Sequence, residues 1–286
     1  MTLSKALIHS VRDWLPDNLY LSIYHRRRIG RFPKMRHPTT FNEKILRRCL
    51  EPDPRFGDLT DKLKVREYVA DKIGSEYLVP LVAEPSDFTR EVFDALPPAF
   101  VMKANHGSGF VHLVKDKSTT TFEKLDALAQ SWLSTDFYAI ARERHYRTIE
   151  RRIFFEALLV EPDGKVPPDL KFHVFNKQSG EPKIFILVIS DRFGESPRGD
   201  IYDADWNRLD ISMGHYKRSV TPDPRPEKLD ALLSVARTLA SDFEFVRVDL
   251  YDSNDAIYFG ELTFTPGAGM FRLRPDRVDY EWGNLM

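Results

Sequence analysis

Two segments near the end of the chain carry polar side chains at alternate positions. Arg247 and Asp249 lie two residues apart, and so do Glu261 and Thr263. We expect the two pairs on neighbouring strands, where residues i and i+2 point to the same face. Two carboxylates form the hard-oxygen site that Mg²⁺ prefers, and an arginine beside them suits a phosphate in transfer. The alternative is a salt bridge between Arg247 and Glu261 on a sheet surface.

The pairing register of these two strands decides whether the four groups meet. A five-residue loop over 252–256 places Arg247 opposite Glu261, and all four groups then share one face. A four-residue loop over 252–255 turns Glu261 to the other face. The interpretation as a metal site requires the first register.

A second candidate is a glycine-rich turn that follows a lysine. Lys103 lies near the end of a short apolar strand, and Gly107, Ser108 and Gly109 follow it. Glycine lets backbone amides approach an anion closely, and a nearby ammonium adds positive charge. This pattern indicates a phosphate-binding loop. The alternative is an ordinary hairpin turn with a lysine that reaches the solvent.

Two further patterns contain charged side chains. Glu156 lies inside an apolar strand, where a buried carboxylate needs a hydrogen-bond donor such as the exocyclic amine of adenine, unless it faces water at a sheet edge. A basic run indicates either a solvated helix face or capture of an acidic substrate. That run consists of Arg142, Arg144, His145, Arg147, Arg151 and Arg152.

The elements that must position these residues are mixed helices and strands. Thr40 is the expected N-cap of a helix, with Glu43 as its capping-box partner, and Thr60 is expected to cap another. Helices are predicted over 3–50 with a break near 30–38, and over 60–73, 121–134 and 226–241. Strands are predicted over 99–104, 110–115, 152–160, 170–176, 183–190, 243–251 and 257–264. Because the strands follow one another as hairpins, we expect an α+β fold with antiparallel sheets.

Composition limits the classes of protein to which this chain can belong. The chain has 286 residues, a formal net charge of -1 and one cysteine, Cys49. The near-zero charge gives no indication of a nucleic-acid partner, and one cysteine excludes an intramolecular disulfide. No signal peptide, 18-residue apolar run, Ser/His/Asp spacing or paired histidine ligands is recognisable. These observations favour a cytoplasmic protein.

The N-terminal segment carries a separate signal. Apolar positions over 5–25 precede the basic run at 25–28. The pattern is typical of a surface helix with a solvated basic end. The alternative is peripheral contact of residues 5–30 with an anionic membrane or with another protein.

Taken in order, these segments resemble the ATP-grasp superfamily, and more narrowly the TupA-like ATP-grasp family, named for a teichuronopeptide biosynthesis protein. The matching segments are 40–44, 61–62, 103–109, 191–193, 202–206, 247–249 and 258–267, and the resemblance spans roughly 20–286. It implies two antiparallel β-rich lobes clasping ATP, with an N-terminal helical extension. The expected units are the extension at 1–60, a phosphate-loop and adenine-hinge part at 61–160, and a Mg²⁺-binding part at 161–286.

The resemblance also implies a role for each matching position. Lys62 and Lys103 would contact the phosphates of ATP. Gly107, Ser108 and Gly109 would form the loop that closes over these phosphates. Glu156, Leu158 and Leu159 would contact the edge of the adenine. Asp169 would contact the ribose, and Lys171 would make a further polar contact. Asp249 and Glu261 would ligate Mg²⁺, and Arg247 would stabilise the transferred phosphoryl group. Many superfamily members carry asparagine where this chain has Thr263, whose hydroxyl would ligate Mg²⁺ or hold a water bound to it.

The implied function is an ATP- and Mg²⁺-dependent ligase that activates a carboxylate as an acyl phosphate and passes it to an amine or a thiol. The family name places it in bacterial cell-surface polysaccharide or glycopeptide biosynthesis. Three alternatives stay open: a kinase acting on a sugar hydroxyl, a glycosyltransferase using Asp203 and Asp205, and a non-catalytic ATP-binding scaffold.

Overall fold

A computed structural model describes residues 14–161, 164–177, 180–190, 197–253 and 256–286. The predicted helix before residue 14 and the matching segment 191–193 lie outside these ranges, as do parts of the loops at 177–180 and 252–256. All structural statements below concern the described residues.

The element order mixes helices and strands along the whole chain. The helices are α1 (Asp17–Ile29), α2 (Phe41–Leu50), α3 (Phe56–Thr60), α4 (Val65–Ile73), α5 (Arg90–Ala95), α6 (Phe122–Ser134), α7 (Phe137–Ala141), α8 (Leu229–Ala240) and α9 (Arg277–Asn284). The strands are β1 (Leu81–Ala83), β2 (Phe100–Ala104), β3 (Val111–Val114), β4 (Ile153–Glu156), β5 (Asp169–Phe175), β6 (Lys183–Ser190), β7 (Arg198–Asp203), β8 (Ser212–Met213), β9 (Phe245–Asp252), β10 (Ile257–Thr263) and β11 (Leu273–Arg274).

The larger sheet is five-stranded, in the order β10-β9-β5-β6-β7. Every neighbouring pair in it is antiparallel. One face is apolar and packs against α4 and α8 through residues such as Val69 and Leu232. Because side chains alternate along a strand, the intervening residues of β5 and β9 must lie on the opposite face.

That opposite face changes character along its length. At one end Phe175 and Phe245 pack with Trp282 of α9 and Phe41 of α2. At the other end the same face carries the charged side chains of β5, β9 and β10. The aromatic half packs against α2 and α9, and the charged half forms part of the site described below.

The smaller sheet is four-stranded, in the order β1-β4-β2-β3, and is also antiparallel. Phe100, Met102 and Phe155 face a core shared with α5 and α6. Lys103 and Glu156 alternate with these residues and point away from that core. The predicted α+β fold with two antiparallel β-rich lobes is confirmed.

The β9–β10 hairpin adopts neither of the two registers considered from the sequence. Ile257 pairs with Asp252, and a bulge at Gly260 then shifts the pairing. Beyond the bulge Glu261 pairs with Asp249, and Thr263 pairs with Arg247. The loop is one residue shorter than the metal interpretation required, but the bulge compensates and returns Glu261 to the face of Arg247 and Asp249.

Two of the predicted helix caps have different outcomes. Thr40 and Glu43 form the predicted capping box at the start of α2. The prediction for Thr60 is wrong, because Thr60 ends α3 and the next helix begins only at Val65. Asp61 organises the turn between the two helices instead, since its Oδ1 accepts the backbone N–H of Leu63 at 2.9 Å.

Two other predictions need correction. The strand predicted over 152–160 ends at Glu156, because the Ala157 N–H turns to the carbonyl of Pro80 (2.9 Å). The basic run does not form a solvated helix face: α7 ends at Ala141, a short 3₁₀ helix follows over Arg144–Thr148, and Arg142 is buried. Across the described ranges, no helix has the length and apolarity needed to cross a membrane.

Candidate active site

Lys62 connects the charged faces of the two sheets. Its ammonium donates to the carbonyl oxygen of Gly107 (2.7 Å), in the glycine-rich turn of the smaller sheet. The same ammonium lies 3.8 Å from Glu261 Oε2 on the larger sheet. Burial lowers the pKa of Lys62, and Glu261 opposes that effect. Lys62 therefore joins two segments that are distant in sequence: the glycine-rich turn, 45 residues away at Gly107, and β10, 199 residues away at Glu261.

The predicted group on the larger sheet is assembled around Arg247. Its Nε and Nη2 donate to the two carboxylate oxygens of Asp249 at 2.7 and 2.8 Å. Nη2 also donates to Glu261 Oε1 at 2.6 Å, and the Thr263 hydroxyl donates to the same oxygen at 2.9 Å. The structure thus brings all four residues together, and the Arg247–Glu261 pair belongs to a largely buried network rather than to an exposed sheet surface.

Lys171 extends this network towards β5. Its ammonium donates to Asp169 Oδ2 at 2.7 Å and to Asp249 Oδ2 at 2.5 Å. Lys171 is paired with Asp249 across the β5–β9 ladder, so the strand register itself fixes this contact. Asp169 and Lys171 therefore lie beside the carboxylates, while the contact of Asp169 with ribose and the polar contact of Lys171 with the nucleotide stay predictions.

The pKa values of Asp249 and Glu261 are shifted in opposite directions. Burial would raise the pKa of Glu261, but the charges of Lys62, Arg247 and Lys171 hold that pKa well below its usual range. Burial raises the pKa of Asp249, against the opposing effects of Arg247 and Lys171. An additional cation near Asp249, such as a metal ion, would favour its charged form.

Lys103 and Glu156 form the corresponding group on the smaller sheet. The Lys103 ammonium donates to Glu156 Oε2, and Arg66 of α4 donates to Oε1 at 3.3 Å. Glu156 is 6% exposed on an internal strand, which excludes the edge position facing water. Its carboxylate accepts from two cations here, and the contact with an adenine amine stays a prediction. Leu158 and Leu159 follow β4 and are half-buried.

The glycine-rich turn packs against two aromatic rings. A Cβ on Gly107 would lie 2.6 Å from Phe110 Cε2 and 2.8 Å from Phe137 Cδ2, distances that real Cβ atoms do not adopt. Gly109 has φ +82°, in the left-handed region that favours glycine. Ser108, between them, is exposed. The turn therefore combines a closely packed base with an open tip.

Replacing Gly107 by alanine is expected to weaken the affinity for ATP at least about tenfold, because the added methyl must displace a ring or the turn that carries the Lys62 contact. Calorimetric titration with a non-hydrolysable ATP analogue measures the change. Ser108→Ala is the matched control, because its side chain is exposed and adds no clash. Equal affinities of the two variants would show that the position of Gly107 does not matter to the nucleotide.

The donor set of the site fits Mg²⁺. Within the described ranges, no group of three or more His, Cys, Asp or Glu side chains is placed to hold a metal ion. Asp249 and Glu261 supply two carboxylates, and Mg²⁺ is commonly bound by one or two carboxylates together with substrate phosphates and water. Among the described residues, Glu261 Oε2 makes only the long 3.8 Å approach to Lys62, which leaves it able to accept a ligand bond.

Three residues of the site were missed by the sequence interpretation. Arg66 lies four residues after Lys62, a spacing that could have indicated a shared face. Asn105 donates to Asp61 Oδ2 (3.0 Å) and so ties the turn before α4 to the end of β2. Glu143 is buried and accepts a hydrogen bond from the Thr265 hydroxyl, just beyond β10. No spacing in the sequence indicates the last two contacts.

Glu143 gives the folded protein a distinctive pH dependence. Burial raises the pKa of Glu143 to about 7, and the charge of Glu261 adds to the effect of burial, while Thr265 and Arg247 oppose it. In the unfolded chain the carboxyl has its ordinary pKa of 4.5. The folded state therefore binds one more proton between these values, and its stability falls as the pH rises through this window.

We expect Glu143→Gln to remove this dependence, because glutamine keeps the contact with Thr265 but does not ionise. The free energy of unfolding of the wild type relative to the variant should fall by on the order of 3 kcal/mol between pH 4.5 and 7.5. Urea unfolding at several pH values measures the difference, and subtraction cancels other titrating groups. A difference that stays constant with pH would show that Glu143 titrates normally.

The chain matches the family described as TupA-like ATPgrasp over residues 44–286. A search among curated proteins finds no match. Similar solved structures include the ATP-grasp ligase PsnB with a phosphomimetic variant of its minimal precursor, Mg and ADP (14% identity, 78% of this chain and 58% of that chain, TM-score 0.39).

Two further similar structures are enzymes of different kinds. One is D-alanine–D-alanine ligase from Bacillus anthracis (15% identity, 74% of this chain and 59% of that chain, TM-score 0.42). The other is N5-carboxyaminoimidazole synthase from Aspergillus clavatus with ADP (12% identity, 78% of this chain and 46% of that chain, TM-score 0.42). This chain spans less than two thirds of the length of each of the three. Because the family match extends over most of its length, the chain belongs to the TupA-like ATP-grasp family.

Proposed function

We propose that the protein is an ATP-dependent ligase that converts a substrate carboxylate into an acyl phosphate and transfers the acyl group to an amine or a thiol. The observation that carries this proposal is the position of Lys62, which joins the Lys103 turn to the Asp249 and Glu261 carboxylates. Cations and carboxylates from two sheets thus meet at one place, an arrangement suited to a metal-bound polyphosphate.

The proposed reaction has two steps. An oxygen of the substrate carboxylate bonds to the γ-phosphorus of ATP while the bond from that phosphorus to the ADP oxygen breaks. The nucleophile then attacks the acyl carbon, loses its proton and expels inorganic phosphate. Both steps gather negative charge on phosphoryl oxygens, so the catalytic contribution of the protein is chiefly fixed positive charge.

These residues have distinct roles in this scheme. Asp249 and Glu261 would hold Mg²⁺, with Thr263 beside them, and the metal would supply charge neutralisation at the phosphates. Arg247 lies between the two carboxylates, where it can stabilise the phosphoryl group in transfer. Lys62 and Lys103 would bind phosphate oxygens. The Gly107–Gly109 turn would exclude water, which otherwise hydrolyses an acyl phosphate.

The biological setting and partners are part of the proposal. The family name favours bacterial cell-surface polysaccharide or glycopeptide assembly, with a glycan or small-molecule carboxylate as substrate and without nucleic acid. Leu19 and Ile23 are about half exposed on α1, and Trp14 before it is 89% exposed. We propose these side chains, with the basic end of α1, as the surface for peripheral contact with a membrane or an assembly protein in the cytoplasm.

The glycosyltransferase alternative receives no support from its two candidate residues. Asp203 Oδ1 accepts the backbone N–H groups of Asp205 (3.0 Å) and Asn207 (2.8 Å). Its other oxygen accepts from the Asn207 side chain at 3.0 Å. Asp203 thus stabilises a turn before β8.

Trapping with hydroxylamine tests the proposal. The purified protein would be incubated with Mg·ATP, hydroxylamine and a panel of uronic acids and amino acids, and ADP, AMP, phosphate and hydroxamate would be followed. We expect hydroxamate and ADP in equal amounts with one acid, and both formed on the order of 10²–10³-fold more slowly with Glu261→Gln. Carboxylate-independent ADP formation with phosphate retained on a sugar hydroxyl would contradict a ligase and identify a kinase. ATP binding without turnover on any acid would also contradict it.

A further inference from the structure

The segment between α7 and β4 carries a largely buried carboxyl group. Glu143 lies directly before the 3₁₀ helix over Arg144–Thr148, and it is 7% exposed, so it is not completely enclosed. Its Oε1 accepts a hydrogen bond from the Thr265 hydroxyl. Among the described residues, no donor forms a hydrogen bond with the other oxygen, Oε2. One carboxylate oxygen is therefore held in place, and the other is able to accept a proton.

The contact with Thr265 places Glu143 beside the group proposed to handle the phosphates. Thr265 comes two residues after Thr263, whose hydroxyl donates to Glu261 Oε1 at 2.9 Å. The charge of Glu261 raises the pKa of Glu143, and the charge of Arg247 lowers it. Because the interaction between charges weakens with distance, these effects put Glu143 close to the site proposed for phosphoryl transfer.

Glu143 is also connected to the glycine-rich turn. Tyr146, three residues later, packs its ring on that of Phe137, with the ring centroids 4.6 Å apart. Phe137 in turn packs against Gly107 of the turn. Glu143 therefore lies between the turn proposed to close over the phosphates and the end of the strand that carries the proposed metal ligands. A nucleophile that attacks an acyl phosphate held there must enter the same space.

A purely structural role does not explain why this residue is a glutamate. Glutamine would accept the same hydrogen bond from Thr265, whereas a buried carboxylate opposes folding at neutral pH. Burial raises the pKa of Glu143 to about 7, close to the value at which a general base works best at neutral pH. Tyr146 and Cys49 also interact with Glu143, but burial raises their pKa values well above the ordinary range and keeps them neutral. Of these three groups, Glu143 is the one that exchanges a proton near neutral pH.

We propose that Glu143 is the general base of the second step, in which it takes the proton from the amine that attacks the acyl phosphate. The inference rests on the proposed ligase function and commits it to an amine acceptor. As the amine nitrogen bonds to the acyl carbon, a proton moves from that nitrogen to Glu143 Oε2. The bond from the acyl carbon to the phosphate oxygen then breaks, inorganic phosphate leaves, and Glu143 returns the proton to water. Thr265 keeps its hydrogen bond to Oε1 and so orients the carboxylate.

Two kinds of nucleophile separate this step from formation of the acyl phosphate. Hydroxylamine is mostly unprotonated at neutral pH and attacks acyl phosphates without help from a base, so hydroxamate reports the first step. Each mixture holds Mg·ATP, the acid that yields hydroxamate, and either hydroxylamine or one of glycine, alanine and glutamate, and mass spectrometry follows the amide. We expect Glu143→Gln to slow amide formation about 10²–10⁴-fold and hydroxamate formation less than about threefold.

Two variants serve as controls. Glu281→Gln changes an exposed carboxylate of α9 and should form both products at wild-type rates. Glu261→Gln should slow both products together, so loss of the first step is distinguishable from loss of the second.

Three outcomes would overturn the assignment of Glu143. Equal slowing of both products in Glu143→Gln would show a structural role, and amide formation at the wild-type rate would show no role. Wild-type protein that forms hydroxamate but no amide with any of the three amines would leave Glu143 with no amine to deprotonate. Wild-type protein that forms neither product with any acid would instead contradict the ligase function itself, and this proposal with it.

Discussion

Replacing Glu261 by glutamine is expected to slow Mg²⁺-dependent ADP formation by on the order of 10²–10³-fold while the protein stays folded. Glutamine has the same shape and can still accept the hydrogen bond from Thr263, so the change removes chiefly one negative charge. Because nearby cations hold the pKa of Glu261 low, the wild-type carboxylate is ionised at neutral pH. The variant should therefore keep its fold and bind the metal more weakly.

Initial rates of ADP formation at several Mg²⁺ concentrations measure this effect, with calorimetric titration of an ATP analogue as a second readout. The matched control is Glu281→Gln, an exposed carboxylate of α9 that pairs with Arg277. We expect higher Mg²⁺ to restore part of the activity of Glu261→Gln, since weaker metal affinity is offset by mass action. If both glutamine variants behave as the wild type, Glu261 does not bind the metal.

Replacing Arg247 by alanine is expected to have the largest effect on stability, about 3–5 kcal/mol at neutral pH. Arg247 makes two hydrogen bonds to Asp249, which is 3% exposed, and one to Glu261. Without the guanidinium, the Asp249 carboxylate keeps Lys171 as its one cationic partner within the part of the chain that the structure describes. An uncompensated buried charge is costly, and the loss of the arginine also removes the group proposed to stabilise phosphoryl transfer.

The pH dependence of this variant has a definite sign. Burial already raises the pKa of Asp249, and Arg247 opposes that effect, so its removal raises the folded-state pKa further. The protonated form carries no charge penalty. The deficit in unfolding free energy should therefore be greatest at neutral pH and shrink as the pH falls and Asp249 protonates.

Urea unfolding of Arg247→Ala and Arg247→Lys at pH 7.5 and 5 measures both effects. Lysine keeps the charge but cannot reproduce the two parallel hydrogen bonds to Asp249, so its loss of stability should be smaller and its loss of activity still large. Arg277→Ala is the surface control. A stability of Arg247→Ala equal to that of the surface control at both pH values would contradict the described network.

The β9–β10 hairpin shows which parts of the site the sequence determines. Alternation along a strand correctly placed Arg247 with Asp249, and Glu261 with Thr263, because i and i+2 share a face in any register. It could not place the pairs relative to each other, since the bulge at Gly260 changes the register within the strand. A Cβ there would lie 3.1 Å from the Asp249 carbonyl oxygen, and a glycine inside a strand is a signal for a bulge.

Contacts between distant segments could not be predicted from the sequence, for a different reason. Lys62 meets Glu261, and Arg66 meets Glu156, only because the turn before α4 lies beside the charged face of the larger sheet and α4 itself lies beside that of the smaller sheet. Local patterns predict elements and faces, but not which elements meet in space. Glu143 was missed for the same reason, since its partner Thr265 lies 122 residues away.

The central claim is that the charged faces of the two sheets bind one Mg·ATP. A structure of the protein with Mg²⁺ and a non-hydrolysable ATP analogue tests it most directly. We predict a metal ion bound by Asp249 and Glu261, with phosphate oxygens contacting Lys62 and Lys103. A nucleotide bound elsewhere, or a metal ion without contact to either carboxylate, would contradict the claim.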